Sequence, residues 1–322
     1  MKKVLILFGG NSLEHAVSCK SAKTVLENID RDLFDVTSVG IHNYNWYIFN
    51  DSLEMLLNNT WLEGNIKKVD NIVEFLKGFD KVLPMVHGND AENGALSGLF
   101  ELFGIPYVGS NILGHACGYD KEITKIICEY HNIPQVDYIT IYENKEIKEI
   151  NIEYPVIVKP AACGSSIGIN IAHNIEEVNK YVNDAFKCDS KVVIEKFVKC
   201  RELECAVLEK DGKYIVSTVG EINSVNEFYD YDAKYILDSK VTIPAIIDEE
   251  IIKEVRELSE KIFKILSLKD LSRIDFLYDV ENKKLYFNEV NTLPGFTTIS
   301  MYPMLINAAG INIKELITTF LK

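Results

Sequence analysis

Residues 287–296 read FNEVNTLPGF, an apolar strand pattern that carries a carboxylate and a carboxamide and then breaks at a Pro-Gly turn. Glu289 and Asn291 are two positions apart, so in a strand both project from one face. Just upstream, SRIDFLYDVENKKLYFNEVN (residues 272–291) is expected to form a hairpin turning around Glu281–Lys283, which brings Asp275 near Glu289. Two carboxylates and an amide oxygen are hard donors of the kind Mg²⁺ prefers, with its remaining positions left to water and phosphates. Solvated polar residues on an open sheet face have the same spacing, so spacing alone leaves both readings open.

Four further segments carry residue types suited to chemistry. In PVIVKPAACGSSIG (155–168), Lys159 ends an apolar strand and a run of small residues follows. Such a loop lets backbone N–H groups approach phosphate oxygens. It lacks the GK[ST] of a Walker loop, and a plain surface turn is the alternative. In VVIEKFV (192–198), Glu195 ends a buried strand, where an acceptor and backbone groups could line an adenine; an ordinary strand terminus reads the same way. GGNSLEHAVS (9–18) places Glu14 and His15 after the first strand, at the carboxyl edge of a parallel sheet. A carboxylate there could hold a substrate ammonium or simply favour a helix N-terminus. NEFYDYDAKY (226–235) is rich in aromatics for a loop and reads either as a lid or as a statically docked segment.

The elements that must position these residues are legible as periodic segments. KVLILF (3–8) reads as a buried strand, although for six residues it looks like the start of a signal peptide; it is too short for an h-region and has no cleavage site. A helix through SCKSAKTVLENI, strands FDVTSVGI and DKVLPMV (80–86), and a helix ALSGLFELFG follow. Leu96, Leu99, Phe100 and Phe103 are expected on the inner face of that helix, with Gly104 as its C-cap. This alternation points to a parallel sheet over about the first 110 residues. The stretch holding Trp46 and Trp61 reads as polar. A helix capped by Asp120 is expected to bury a stripe of Ile123, Ile126, Ile127 and Tyr130 and to close at Pro134. Strands YPVIVKP, KVVIEKFV, ELECAVLEK and KYIVSTV, a long helix (248–266), the hairpin and a final helix IKELITTFL complete the chain.

Composition narrows the function class. The chain has 322 residues, 47% hydrophobic and 25% charged, enough for more than one domain with an ordinary globular profile. A net charge of −14 argues against general nucleic-acid binding, which needs a basic face. Seven cysteines with no CxxC pair read as reduced thiols rather than a disulfide frame or zinc site. No apolar run is long enough to span a membrane.

Taken in order, GGNSLEHAVS, VHGNDAENG, GIPYVGS, Asp120-Lys121, VKPAACGSSIG, IEKFV, RELE, FYDYDAKY, SRIDF and NEVNTLPGFT run through nearly the whole chain. Together they resemble the D-alanine–D-alanine ligases, members of the ATP-grasp superfamily. The resemblance implies an α/β protein of three domains: 1–110, a parallel-sheet domain; 111–198, the central ATP-grasp domain; and 199–322, the C-terminal ATP-grasp domain with a lid loop at 222–240. ATP would lie between the second and third. It implies ATP contacts at Lys121, Lys159, Glu195, Lys196, Phe197, Val198 and Glu202, with Lys234 reaching the transferred phosphoryl group. Two Mg²⁺ ions, replaceable by Mn²⁺, would sit on Asp275, Glu289 and Asn291. Glu14 would receive the first substrate's ammonium and form a hydrogen-bonded triad with Ser165 and Tyr235 that ties the lid shut. His87 would lie near that substrate, Arg273 and the Gly295 N–H would be oxyanion donors, and Ser300 would touch the second substrate's carboxylate. The implied activity is ATP-dependent joining of two D-alanines for peptidoglycan precursors, in the cytoplasm, by a homodimer without nucleic-acid or membrane partners.

Three departures bear on this. The family usually reads HGxxGEDGxxQG where this chain has HGNDAENGALSG, so Ala91, Asn93 and Ser97 stand for Gly, Asp and Gln, and a rearranged loop around His87 is expected. Met301 follows Ser300 where alanine-adding members usually carry Leu and D-serine-adding resistance enzymes usually carry Arg; an apolar, flexible Met favours D-alanine. Against that, LNNTWLEG (57–64) is similar to a segment of some D-serine enzymes. Tyr235 argues against a D-lactate-adding enzyme. A homologue that binds nucleotide without turnover is a third reading, motivated by the altered loop.

Overall fold

The computed structural model describes residues 1–164, 168–223 and 240–322. Ser165, Lys234 and Tyr235, and most of the expected lid, lie outside them.

The first sheet contains β1 (Lys2–Gly9), β2 (Phe34–His42), β3 (Asn45–Phe49), β4 (Ile66–Lys68) and β5 (Lys81–Pro84) in the order β4-β3-β2-β1-β5. β1 lies between β2 and β5 and is parallel to both, and Val4–Phe8 are fully buried. The parallel expectation therefore holds for β2, β1 and β5. β3 and β4 are antiparallel and fall in the stretch read only as polar. Asn43 and Tyr44 both take positive φ (46° and 60°), which makes the two-residue turn that reverses β2 into β3. Trp46 and Trp61 are buried, not solvated. Trp61 packs so closely over Gly40 that a Cβ there would lie 2.5 Å from its ring.

The helix Ala95–Phe103 buries Leu96 and Phe100 and ends at Gly104, whose left-handed φ of 64° makes it the C-cap. Phe103 is 41% exposed, contrary to the expected inner face. It sits in the last turn, where the chain leaves the helix and Ile105 fills the core instead.

The central sheet holds β6 (Tyr138–Ile141), β7 (Val156–Pro160), β8 (Asn170–Ala172) and β9 (Val192–Lys196), antiparallel in the order β6-β9-β7-β8. The helix Ile175–Ala185 covers it with Val178 and Val182, capped by Asn174. In front of this sheet runs the helix Lys121–Tyr130. Asp120 caps it through Ile123 N, as expected, but the expected apolar stripe is on the wrong side. Lys121, Glu122, Thr124, Lys125 and Cys128 are buried, while Ile123, Ile126 and Tyr130 are exposed and only Ile127 packs on a core.

The third sheet is antiparallel, in the order β12-β11-β10-β13-β14, from β10 (Arg201–Lys210), β11 (Lys213–Asn223), β12 (Lys240–Thr242), β13 (Leu271–Asp279) and β14 (Lys284–Asn291). The long helix Glu249–Ile265 packs on one face through Val255, Ile262 and Phe263. The other face meets the helix Met301–Ala308, and the C-terminal helix Ile313–Leu321 lies against β5 and the helix His15–Asn28. The first sheet and the C-terminal helices thus share one hydrophobic core. β11 and β12 pair Asn223 with Lys240, so the ends of the lid segment are adjacent. All seven cysteines are free. Among the described residues no helix is long and apolar enough to cross a membrane.

Candidate active site

A cleft lies between the three sheets. Glu14, His87, Lys121, Lys159, Glu202, Arg273, Asp275, Glu289, Asn291, Gly295 and Ser300 all line it. Glu195 does not reach the cleft wall, nor do Lys196, Phe197 and Val198.

The hairpin forms as the spacing predicts. Asp275 stands opposite Glu289, and Arg273 opposite Asn291. Between these pairs and the turn the register slips: Asp275 pairs with Glu289 but Phe276 with Phe287, leaving Asn288 as an extra residue. This bulge has a direct consequence. Leu285 and Phe287 point into the core beneath the sheet, and simple alternation would send Glu289 after them. The inserted residue reverses the phase, so that Val290 enters the core while Glu289 and Asn291 face the cleft beside Asp275.

Arg273 holds the floor together. Its Nε and Nη2 donate to the two oxygens of Asp275 at 2.8 and 2.7 Å, and Nε lies 2.8 Å from Glu204 Oε2. Burial works against its charge, but Asp275 and Glu204 outweigh it and push the guanidinium pKa upward. Asn291 Nδ2 donates to Asp275 Oδ2 at 3.0 Å. Turning that amide by half a revolution would offer Oδ1 instead, so Asp275, Glu289 and Asn291 can present three oxygens to a hard cation.

Above the floor, the TLPGF segment is pinned to the first domain through His87. Its Nδ1 lies 2.9 Å from Leu293 O and its Nε2 2.8 Å from Ser21 Oγ, which in turn accepts from Phe296 N at 3.1 Å. A carbonyl only accepts, so Nδ1 carries the proton and Nε2 takes the Ser21 hydroxyl's. Burial lowers the His87 pKa, in keeping with that neutral ring. Gly295 is therefore anchored on both sides. A Cβ there would lie 3.0 Å from Ser300 Oγ, which itself accepts from Thr297 N at 3.0 Å.

Glu14 opens the helix His15–Asn28, and its carboxylate sits in a cradle of glycines. A Cβ on Gly88 would lie 2.5 Å from Glu14 Oε2, and one on Gly164 3.1 Å away. Gly88 also takes a φ of 76°. The neighbouring His15 donates from Nδ1 to Gly10 O at 2.7 Å and accepts from Trp61 Nε1 at 3.1 Å, bracing the loop. The altered HGNDAENG motif forms a short helix, Asn89–Glu92, closed by Asn93 and Gly94. Ala91 is buried and Ser97 Oγ donates to Gly94 O, so the substituted residues are accommodated.

On the opposite wall Lys121 Nζ donates to Cys163 O at 2.7 Å, tying the helix to the start of the small-residue loop. Burial, only partly offset by Glu289, lowers its pKa. Lys159 Nζ lies 2.7 Å from Glu195 Oε2. Glu195, expected as an acceptor for adenine, is thus engaged by a cation. Lys196 pairs outward with Glu153, and its N–H goes to Asp137 O, while Phe197 N donates to Pro155 O.

Several residues here escaped the sequence reading. Glu92 lines the cleft and accepts from Gly88 N at 3.0 Å. Burial, reinforced by the Glu14 carboxylate, pushes its pKa up to about 8. With Gly94 it is one of the two letters of GEDG that this chain retains, and that was its available signal. Lys125 was discoverable from its i+4 spacing to Lys121. The signal for Glu204 was its place in the RELE motif, and Ser21 carries no sequence signal of its own.

Residues 3–110 match the family model described as D-ala D-ala ligase N-terminus, and residues 127–322 the one described as D-ala D-ala ligase C-terminus. The chain belongs to the D-alanine–D-alanine ligase family. The D-alanine–D-alanine ligase of Acetivibrio thermocellus is 42% identical, covering 98% of this chain and 94% of that protein. D-alanine–D-alanine ligase B of Clostridium tetani is also 42% identical, over 98% and 91%. Among solved structures, the VanG D-Ala:D-Ser ligase of Enterococcus faecalis superposes with a TM-score of 0.90 at 37% identity, over 99% of this chain and 98% of that one. The Bacillus anthracis D-alanine–D-alanine ligase complexed with ATP gives 0.78 at 26% identity, over 99% and 96%. The three sheets around one cleft are the ATP-grasp fold of this family.

Proposed function

We propose that the protein joins two D-alanines into D-alanyl-D-alanine with ATP, through an acyl phosphate, as a step toward peptidoglycan precursors. The observation that carries this reading is the cleft floor: Asp275, Glu289, Asn291 and Arg273 in register across β13 and β14, opposite Lys121 and Lys159. A carboxylate is a poor acylating agent; phosphorylation gives it a leaving group, and the amine of the second amino acid then attacks the carbonyl. Both steps build negative charge on oxygen, so cations aimed into a water-poor cleft are what the reaction needs.

In this reading Glu14, in its glycine cradle, takes the first substrate's ammonium. Lys121 and Lys159 meet the nucleotide's phosphates, and Glu202 contributes to the same nucleotide site. Arg273 and the Gly295 N–H, fixed by His87 and Ser21, face the oxyanion of the tetrahedral intermediate. Ser300 Oγ meets the second substrate's carboxylate. Asp275, Glu289 and Asn291 would hold Mg²⁺ or Mn²⁺, which would supply charge neutralisation at the phosphoryl oxygens. The family resemblance adds Ser165, Lys234 and Tyr235 as lid and phosphoryl contacts, and Glu195 to Val198 as the adenine edge. It also supports the three domains 1–110, 111–198 and 199–322, a homodimer and a cytoplasmic location.

A D-serine second substrate is the competing reading, favoured by the likeness to the D-Ala:D-Ser ligase. Met301 speaks against it. The residue lines the cleft, is buried, and packs on β11 so closely that a Cβ at Gly220 would lie 2.8 Å from its sulfur. It offers a second substrate an apolar wall. Purified protein given ATP, Mg²⁺ and D-alanine, D-serine or both, with products weighed by mass spectrometry, tests this. D-alanyl-D-alanine as the main product is expected. D-alanyl-D-serine in excess would hand the protein to the competing reading, and ATP binding without either dipeptide would overturn both.

A further inference from the structure

Behind the Lys121–Lys159 wall sits a charged cluster whose third member, Lys125, the proposed mechanism leaves unused. Glu195 on β9 lies between two ammonium groups: Lys159 Nζ at 2.7 Å from Oε2, and Lys125 Nζ at 3.0 Å from Oε1. All three side chains are almost wholly buried, at 5% exposure or less. Burial raises the Glu195 pKa, but the two lysines outweigh it and bring it down to about 2, so the carboxylate is ionised. Burial lowers the Lys125 pKa and the Glu195 carboxylate opposes that shift; Lys159 is the cluster's only member that lines the cleft.

The two ion pairs are not equivalent. Lys125 Nζ and Glu195 Oε1 face each other without meeting hydrogen-bond geometry, and neither has another hydrogen-bond partner among the described residues. The Lys125 ammonium otherwise rests 5.0 Å from the ring centroid of Tyr138, the residue opposite Glu195 on β6. Its backbone carbonyl is fixed by Gln135 Nε2 at 2.9 Å. Lys125 is thus held in place beside Glu195 with hydrogen-bonding capacity to spare.

We infer that Lys125 is a positioning residue for ATP: it keeps the Glu195 carboxylate paired when Lys159 turns from Glu195 to the nucleotide's phosphates. Without it, a departing Lys159 would strand an ionised carboxylate in the interior, a strongly unfavourable state. ATP would then have to compete with Glu195 for the same ammonium. The inference rests on the proposed role of Lys159.

The test is ATP affinity, measured by calorimetry with Mg²⁺ and without amino acids, for the unaltered protein and for Lys125→Met, Glu195→Gln, the double variant and Lys159→Ala. Lys125→Met should weaken ATP binding by about 10-fold or more while the KM for D-alanine at saturating ATP stays within about twofold. The double variant, lacking the buried carboxylate, should bind ATP better than Lys125→Met alone. A folded Lys125→Met with unaltered ATP affinity, or a double variant no better than it, would overturn the inference. Should Lys125→Met fail to fold, the comparison moves to the double variant against Glu195→Gln: equal affinities are expected, and a large further loss in the double variant overturns it. If Lys159→Ala leaves ATP affinity intact, the proposed role of Lys159 is what fails.

Discussion

The helices Ala95–Phe103 and Lys121–Tyr130 are both amphipathic in sequence, yet they bury opposite kinds of side chain. The first turns Leu96 and Phe100 inward against the first sheet. The second turns Lys121, Glu122, Thr124 and Lys125 inward and leaves Ile123, Ile126 and Tyr130 outside. The difference lies in what each one faces. One covers an apolar sheet, where burial of hydrocarbon decides orientation. The other forms a wall of the cleft, where Glu195 and the loop carbonyl of Cys163 provide partners for buried ammonium groups. A buried charge is tolerated only where such partners exist, and here they outweigh the apolar stripe.

The comparison can be broken most directly at Phe100. Phe100→Ala should lower stability by about 3–5 kcal/mol, read by denaturant unfolding, with turnover per folded molecule unchanged. Lys121→Met should do the reverse: turnover falls by about 10²–10³-fold in steady-state assays, while the melting temperature holds. A large loss of stability in Lys121→Met, or of turnover in Phe100→Ala, would erase the distinction between the two helices. A smaller effect comes from Glu92 on the cleft wall. Its raised pKa means that the folded protein keeps a proton that the unfolded chain releases, so stability falls as pH climbs from about 4.5 through about 8. Glu92→Gln should therefore raise the melting temperature at pH 8.5, by about 2 °C or more, and lose that advantage near pH 4.5. The smallest effect is expected at the exposed stripe: Ile126→Ser should change stability by no more than about 0.5 kcal/mol, and a loss of several would show that this face is covered after all.

Much of the fold was legible because local patterns carry it. β1, β2, β5, β7 and β9 stand where the apolar runs place them, and the hairpin of β13 and β14 pairs Asp275 with Glu289 as its spacing predicts. The strands β3 and β4 were missed because their turn needs positive φ at Asn43 and Tyr44, a requirement an Asn-Tyr pair advertises poorly. In the site, motif residues such as Glu14, His87 and Arg273 were found, whereas Ser21, Glu204 and Lys125 were not, since their importance lies in partners remote along the chain.

By itself the sequence determined the inventory: which strands are apolar throughout, which loops are small enough for phosphate, and which carboxylates and cations are available. These follow from residue type and from periods of two and 3.6, which are local. Only the tertiary structure decided how that inventory is aimed. The bulge at Asn288 swings Glu289 to the cleft, the shared core brings Leu293 and Phe296 onto His87 and Ser21, and Glu195 turns the polar side of a helix inward. Each outcome depends on a partner from another segment of the chain, and local periodicity carries no information about that partner.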